Sequence, residues 1–326
     1  MSLIWRRAVS TSISAATKDV AQKLLSEASR PPSVRRQYID ANQLQRLSLT
    51  LNRPSLYLDL SVTDQWGGPP AGTKVPPGYH LAYFTPAFLP QDLGPDGADI
   101  SYNPPAPFTR RMWAGGKLVW QKDNPLRVGD EAMEFTKLVS SQPKRTRSGE
   151  EMIVVGVEKT FENEKGLVLV DRRDWVFRLP LSQAASFPLP GNNEGFSLPE
   201  LEKPSTKSRD FLQTPISLFR FSALTFNAHM IHYSPAWCRE VEGHPTIVVH
   251  GPLNLINMLD FWRDEKEGEG GYAIPSSIQY RATAPFYAGE KYRALLEPGR
   301  GETHIRMWAS DANGIARMGM MGDVPD

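Results

Sequence analysis

Apolar and polar residues alternate most clearly in four runs of the N-terminal half: Lys117 to Gln121, Met133 to Val139, Met152 to Thr160 and Gly166 to Phe177. Each run is rich in Val, Phe, Trp or Thr and is bounded by turn-forming or charged residues, so together they predict an antiparallel meander. Upstream, Val20, Leu24 and Leu25 predict a short helix that Pro31 and Pro32 stop. Residues 66–110 are thick with Gly and Pro and predict loops draped over a scaffold. Residues 179–207 also lose the alternation, which places a domain boundary near Pro190. A helical pattern follows Gly251: Leu253, Ile256, Leu259 and Trp262 share one face, with Asn257, Asp260 and Arg263 off it. Pro252 suits the first helical position, where a missing N–H costs nothing, and that puts Gly251 at the N-cap.

An internal echo points to two related halves. Pro125-Leu-Arg-Val-Gly129-Asp130 and Pro285-Phe-Tyr-Ala-Gly289-Glu290 share Pro, an apolar residue, two variable residues, Gly and an acid, 160 positions apart. β-type runs flank both, KLVWQ and EFTKLV around the first, SIQYRA and KYRALL around the second. The length of 326 residues fits the same division on the usual domain size. The expected domains are an N-terminal segment at 1–40, a first half at 41–190 and a second half at 191–326.

Charge and cysteine content narrow the function. Lys plus Arg number 37 against 36 Asp plus Glu, so no global field draws the chain to nucleic acid or to an anionic membrane. A single cysteine, Cys238, excludes an internal disulfide and metal sites built on several cysteines. No apolar run is long enough for a membrane-spanning helix. The first 18 residues carry Arg6, Arg7 and Lys18, six Ser or Thr and no acid. They read either as a mitochondrial presequence or as an ordinary basic segment, and the expected compartment is the mitochondrial matrix, with the cytoplasm as the alternative.

Four of the six histidines, His229, His232, His244 and His250, fall within 22 residues. Three roles are open to them. A metal site on His229 and His232 would use their i, i+3 spacing, but no carboxylate shares the turn and the pattern is not that of a zinc hydrolase, so no metal is expected. Histidines also cap turns and fill half-buried polar positions. The third role is acid/base catalysis by one of them. A helix beginning at Gly251 and wrapped by a sheet presents free N–H groups and a partial positive charge, a setting for a developing oxyanion.

The stretch Phe221-Ser-Ala-Leu-Thr-Phe-Asn227-Ala-His229-Met-Ile-His232-Tyr, followed by VEGHPTIVVHGPL, resembles the hydratase motif of the MaoC-like hot-dog proteins. In that pattern, Thr-Gly-Asp-x-Asn-Pro-Ile-His, Asn227 stands for the catalytic Asp and His232 for the catalytic His, and Gly251 takes the oxyanion-hole position. Phe226 replaces Gly, His229 replaces Asn and Met230 replaces Pro. These departures, with RRMWAGGKLVWQKDNPLRVGD at 110–130 and YRATAPFYAGE at 280–290, resemble the branch of mitochondrial hydroxyacyl-thioester dehydratases (type 2) and mesaconyl-CoA hydratase-like proteins. The likeness spans roughly residues 40–320.

The residues alone predict an α+β protein. What the resemblance implies is a double hot-dog fold: two repeats, each an antiparallel sheet wrapped around a central helix, with catalysis confined to the second. It implies a hydro-lyase that interconverts 3-hydroxyacyl and enoyl thioesters by a one-histidine acid/base mechanism, with His232 as acid/base, Asn227 orienting the hydroxyl or water, and the Gly251 N–H holding the thioester oxygen. His229 and Arg281 are candidates for substrate binding, Arg281 for a phosphate. No cofactor of the enzyme's own is implied; CoA or the phosphopantetheine of an acyl-carrier protein enters with the substrate. A monomer or a homodimer fits two fused repeats. The alternatives are a hydratase of mesaconyl-CoA or itaconyl-CoA type, acting on a short branched diacid thioester, and a non-catalytic acyl-thioester binding module.

Overall fold

The computed structural model describes residues 12–27, 31–57, 60–63, 67–146, 148–181, 205–267, 272–310 and 314–326. Helix α1 (Ala15–Ser26) begins where the Ser14 hydroxyl accepts the Thr17 N–H, satisfying one of the otherwise unpaired donors of its first turn. Strand β1 (Ser33–Tyr38) leads to α2 (Ala41–Thr50), capped by the Asp40 carboxylate on the Gln43 N–H. A small hairpin, β2 (Ser55–Tyr57) and β3 (Leu60–Ser61), precedes the Gly- and Pro-rich loops. Four long strands close the first half: β4 (Arg110–Trp120), β5 (Glu131–Arg145), β6 (Glu151–Asn163) and β7 (Gly166–Arg178). The second half runs β8 (Lys207–Leu212), α3 (Pro215–Leu224), a single turn α4 (Pro235–Trp237), α5 (Gly251–Glu267), β9 (Ser277–Ala282), β10 (Lys291–Pro298), β11 (Glu302–Ser310) and β12 (Ala316–Pro325).

Ten strands form one antiparallel sheet in the order β1-β5-β6-β7-β4-β9-β12-β11-β10-β8. The order reads the same from either end once the halves are superposed: β1, β5, β6, β7 and β4 correspond to β8, β10, β11, β12 and β9. The halves join where Gly115 to Val119 of β4 pair with Arg281 to Ser277 of β9. Of the four runs expected to form a meander, β5, β6 and β7 do so, whereas β4 crosses to the far side of β7. Its residues are then free to reach the second half.

The sequence echo is a structural repeat. In the first copy the Arg127 N–H donates to the Asp130 carboxylate (2.9 Å) and the Gly129 N–H to Ile39 O just after β1. In the second the Tyr287 N–H donates to the Glu290 carboxylate (3.1 Å) and the Gly289 N–H to Gln213 O just after β8. The acid at the end of each motif is there to hold a backbone donor of its own turn.

Two expectations change. The first half reaches back before residue 41, because β1 pairs along its length with β5 and α1 lays Ala21 and Leu24 against a cluster with Leu138, Ile153 and Val155. The double hot-dog fold holds, but among the described residues only the second half carries a long central helix. Among the described residues between α2 and β4 the first half has the β2–β3 hairpin and the 3₁₀ turns Tyr79–Ala82 and Pro90–Asp92 where the second half has the 17-residue α5. The polar side of α5 is buried as well, as a helix wrapped by a sheet should be: Asn257, Asp260 and Arg263 all lie in the interior. First-half groups cover Asp260 and Arg263. Arg263 donates to Leu56 O (2.6 Å) and to Asp260 (2.9 Å), and the Tyr79 hydroxyl donates to the other Asp260 oxygen (2.9 Å). One helix thus serves as the core of both halves, and the main apolar cluster runs from Leu44 and Tyr79 through Leu255 and Leu259 to Met307. The boundary near Pro190 and the first 11 residues lie outside the described residues.

Candidate active site

The turn that carries His229 and His232 begins where α3 ends. The Thr225 hydroxyl donates to Phe221 O (2.8 Å), and Phe226 takes a left-handed conformation (φ 49°) that reverses the chain. This is the position where the hydratase motif has glycine, and the backbone explains why: a Cβ in that region costs about 1–2 kcal/mol. The Asn227 N–H then donates to Ser222 O (2.9 Å), and the Asn227 side-chain oxygen accepts the His229 N–H (3.2 Å). A 3₁₀ turn, Met230–His232, points His232 inward.

His232 is buried, with Nδ1 2.8 Å from Val248 O. A carbonyl only accepts, so Nδ1 carries the proton and Nε2 keeps its lone pair. Val248 is itself anchored, its N–H donating to Ile231 O (2.8 Å). The His250 ring stacks on His232 with centroids 3.5 Å apart and planes 17° from parallel, and its Nε2 lies 2.9 Å from the Ser222 hydroxyl. His229 meets His232 edge-on, 5.6 Å between centroids.

Burial is the first cause that holds these imidazoles neutral. It lowers His232 to about 4 despite the favourable bond to Val248 O, and the Arg111 charge adds to the effect. His229 and His250 are held well below 6.5 by burial and by their histidine neighbours, and His244 is lowered to about 4 by burial and Arg110. As the pH falls below 6.5 the unfolded chain takes up protons at these four positions that the folded chain refuses. Stability therefore falls with falling pH through the window from about 6.5 to about 4. The midpoint of urea unfolding should drop steadily across that window, and His250→Asn should flatten the slope by removing one of the four protons. A midpoint that stays level from pH 6.5 to 4.5 contradicts the buried, neutral cluster.

Helix α5 starts at Gly251, and the Asn254 N–H donates to His250 O (3.2 Å). His250 is thus the capping residue and Gly251 the first helical one, a shift of one position from the expected cap. The Gly251 N–H has no acceptor in its own helix. Trp113 of β4 lies directly over it, so that a Cβ at 251 would sit 2.8 Å from the indole ring. Glycine is required here by that close approach.

His232, His229, Asn227 and Gly251 line one cavity of about 940 Å³, and Arg281 lines it as an exposed residue of β9. The first half supplies the opposite wall, including Trp113 and Arg111. Arg111 donates to Asp99 O (2.7 Å) and lies 5.5 Å from the Trp175 ring, yet no carboxylate among the described residues comes within ion-pair distance of it. Neither it nor Trp113 was reachable from helical or strand patterning, and RRMWAGG registers in the sequence only through the resemblance.

The fold and the site together define a double hot-dog protein with a histidine-bearing cavity between its halves. A family model described as hydroxyacyl-thioester dehydratase type 2 matches residues 78–288. The chain belongs to that family, and with it to the hydro-lyases. It is 32% identical over 234 residues to the mesaconyl-C(4)-CoA hydratase of Chloroflexus aurantiacus, covering 71% of this chain and 78% of that one. It is 29% identical to the mitochondrial hydroxyacyl-thioester dehydratase type 2 of Schizosaccharomyces pombe, over 59% of this chain and 68% of that one. Among solved structures, a MaoC-like dehydratase from Phytophthora capsici superposes with a TM-score of 0.60 at 15% identity, covering 93% of this chain and 97% of its own. A double hot-dog protein from Mycobacterium tuberculosis does so with a TM-score of 0.54 at 13% identity, covering 90% and 95%. At these identities the structures speak for the fold alone.

Proposed function

We propose that the chain adds water reversibly across the double bond of an enoyl thioester, giving the 3-hydroxyacyl thioester, with His232 as the acid/base. One observation carries this reading: His232 Nε2, its lone pair fixed by the Nδ1 bond to Val248 O, opens into the same cavity as the first turn of α5. An imidazole in that state can take the proton from the carbon beside the carbonyl and return it to the departing hydroxyl. The Gly251 N–H and the positive end of α5 would hold the charge that gathers on the thioester oxygen. Asn227 does not titrate, and with its side-chain oxygen already on the His229 N–H, its NH₂ group is the part left to orient the hydroxyl or water. Arg281, exposed at the cavity, suits a phosphate of CoA or of a carrier-protein arm. The thioester carrier arrives as part of the substrate, the compartment is the mitochondrial matrix, and the pairing of β4 with β9 supports a chain that works as a monomer or as a dimer of such units.

A second reading narrows the acyl group to a short dicarboxylic one. Arg111, a guanidinium inside the cavity with no carboxylate among the described residues at ion-pair distance, favours it, since buried charges are normally paired. Loss of enoyl-thioester absorbance tests both readings on crotonyl-CoA, a long-chain enoyl-CoA and mesaconyl-CoA. Hydration of any of them supports the hydro-lyase, and a preference for mesaconyl-CoA supports the narrower substrate. Tight binding without turnover of any thioester would overturn the catalytic reading and leave a binding module.

A further inference from the structure

The hydratase motif supplies an acid at the position of Asn227, and this chain has an amide there. A carboxylate nonetheless stands beside the motif, and it comes from the other half. Asp96 lies in the Gly- and Pro-rich loop before β4. Its Oδ1 accepts the Ala98 N–H (3.0 Å), and its Oδ2 is 3.3 Å from His229 Nε2, with both side chains nearly buried. The loop is pinned onto the motif: the Met230 N–H donates to Asp96 O (2.8 Å). Gly97, at φ 77°, is packed so closely that a Cβ would come within 2.2 Å of Ala228 O.

His229 Nε2 is sealed from solvent and, although 3.3 Å from Asp96 Oδ2, makes no aligned hydrogen bond among the described residues. Asp96 is the acceptor within reach, and catalytic hydrogen bonds often align only when substrate binds. The other ring nitrogen, Nδ1, bonds to no group among the described residues and is not sealed, and His229 lines the cavity.

We propose that Asp96 is a positioning residue which keeps the proton of His229 on Nε2, so that Nδ1 offers a lone pair to the substrate hydroxyl or the attacking water. This rests on the hydro-lyase reading above. In dehydration His232 Nε2 takes the proton from the carbon beside the carbonyl. The released electron pair becomes the new C=C bond, the C–O bond breaks, and His232 hands the same proton to the departing hydroxyl, which leaves as water. His229 accepts the hydroxyl O–H throughout, turning the oxygen's lone pairs towards His232, and neither gains nor loses a proton. Hydration runs through the same positions in reverse. The first half then completes the site with the carboxylate that its own repeat does not use.

Asp96→Asn is the discriminating variant. Asn keeps the oxygen that accepts the Ala98 N–H and puts an NH₂ opposite His229 Nε2, which must then accept. The His229 proton moves to Nδ1, and an acceptor in the cavity becomes a donor. We expect kcat to fall by about 10²-fold or more with KM nearly unchanged, as when a histidine is held in the wrong tautomer. Two-bond ¹H–¹⁵N spectra should show His229 protonated on Nε2 in the unaltered protein and on Nδ1 in D96N. Undiminished kcat in D96N, or an Nδ1–H tautomer in the unaltered protein, overturns the assignment. Should D96N not fold, the spectrum of the unaltered protein decides. An unaltered protein with no turnover on any thioester would instead sink the hydro-lyase reading, while the same spectrum still reports on Asp96.

Discussion

Replacing His232 with Ala lowers kcat on the preferred thioester by about 10²- to 10⁴-fold, the range for lost acid/base catalysis, and leaves KM nearly unchanged. The split follows from where the ring sits. Nδ1 is committed to Val248 O, and only Nε2 faces the cavity, so the imidazole contributes to proton movement and little to ground-state binding. Steady-state kinetics with a melting curve on the same preparation separate this from damage to the fold, since His232 also stacks on His250. A kcat within threefold of the unaltered protein, or a loss confined to KM, removes His232 from the proton path.

The largest effect on stability is expected from Arg263→Met. Arg263 is fully buried on α5, bonded to Leu56 O and Asp260, with its guanidinium 5.2 Å from the Tyr57 ring. Its loss leaves the Asp260 carboxylate in the core with the Tyr79 hydroxyl and, at 3.7 Å, Arg53. Breaking one side of a buried pair costs about 3–5 kcal/mol, because the remaining charge stays desolvated. Urea unfolding should show that loss for R263M. The double variant with Asp260→Leu should recover much of it, since the stranded charge is gone. An R263M protein as stable as the unaltered one would mean that water already solvates Asp260.

Local pattern carried the strands and α5 because each is set by its own alternation or periodicity. The turn motif at Pro125 and Pro285 was legible for the same reason: its acid bonds to a backbone N–H three residues away, so the whole device lies within six residues. The residues brought together around His232 came from one continuous stretch, and their shared cavity was visible in outline once the motif was recognised. Asp96, Arg111 and Trp113 were not legible. They reach the site from loops and a strand more than a hundred residues upstream, through a β4 that leaves its neighbour β5 and pairs with β9. The partners of Asp260 and Arg263 were not legible for the same reason, since Tyr79 and Leu56 come to them from the first half.

The most direct measurement is a crystal structure with a non-reacting 3-hydroxyacyl-CoA thioether or amide analogue bound. The carbonyl oxygen should lie within hydrogen-bond distance of the Gly251 N–H, with the adjacent carbon about 3–3.5 Å from His232 Nε2. An analogue whose carbonyl points away from the start of α5, or whose reacting carbons lie beyond the reach of His232, would contradict the site as assigned.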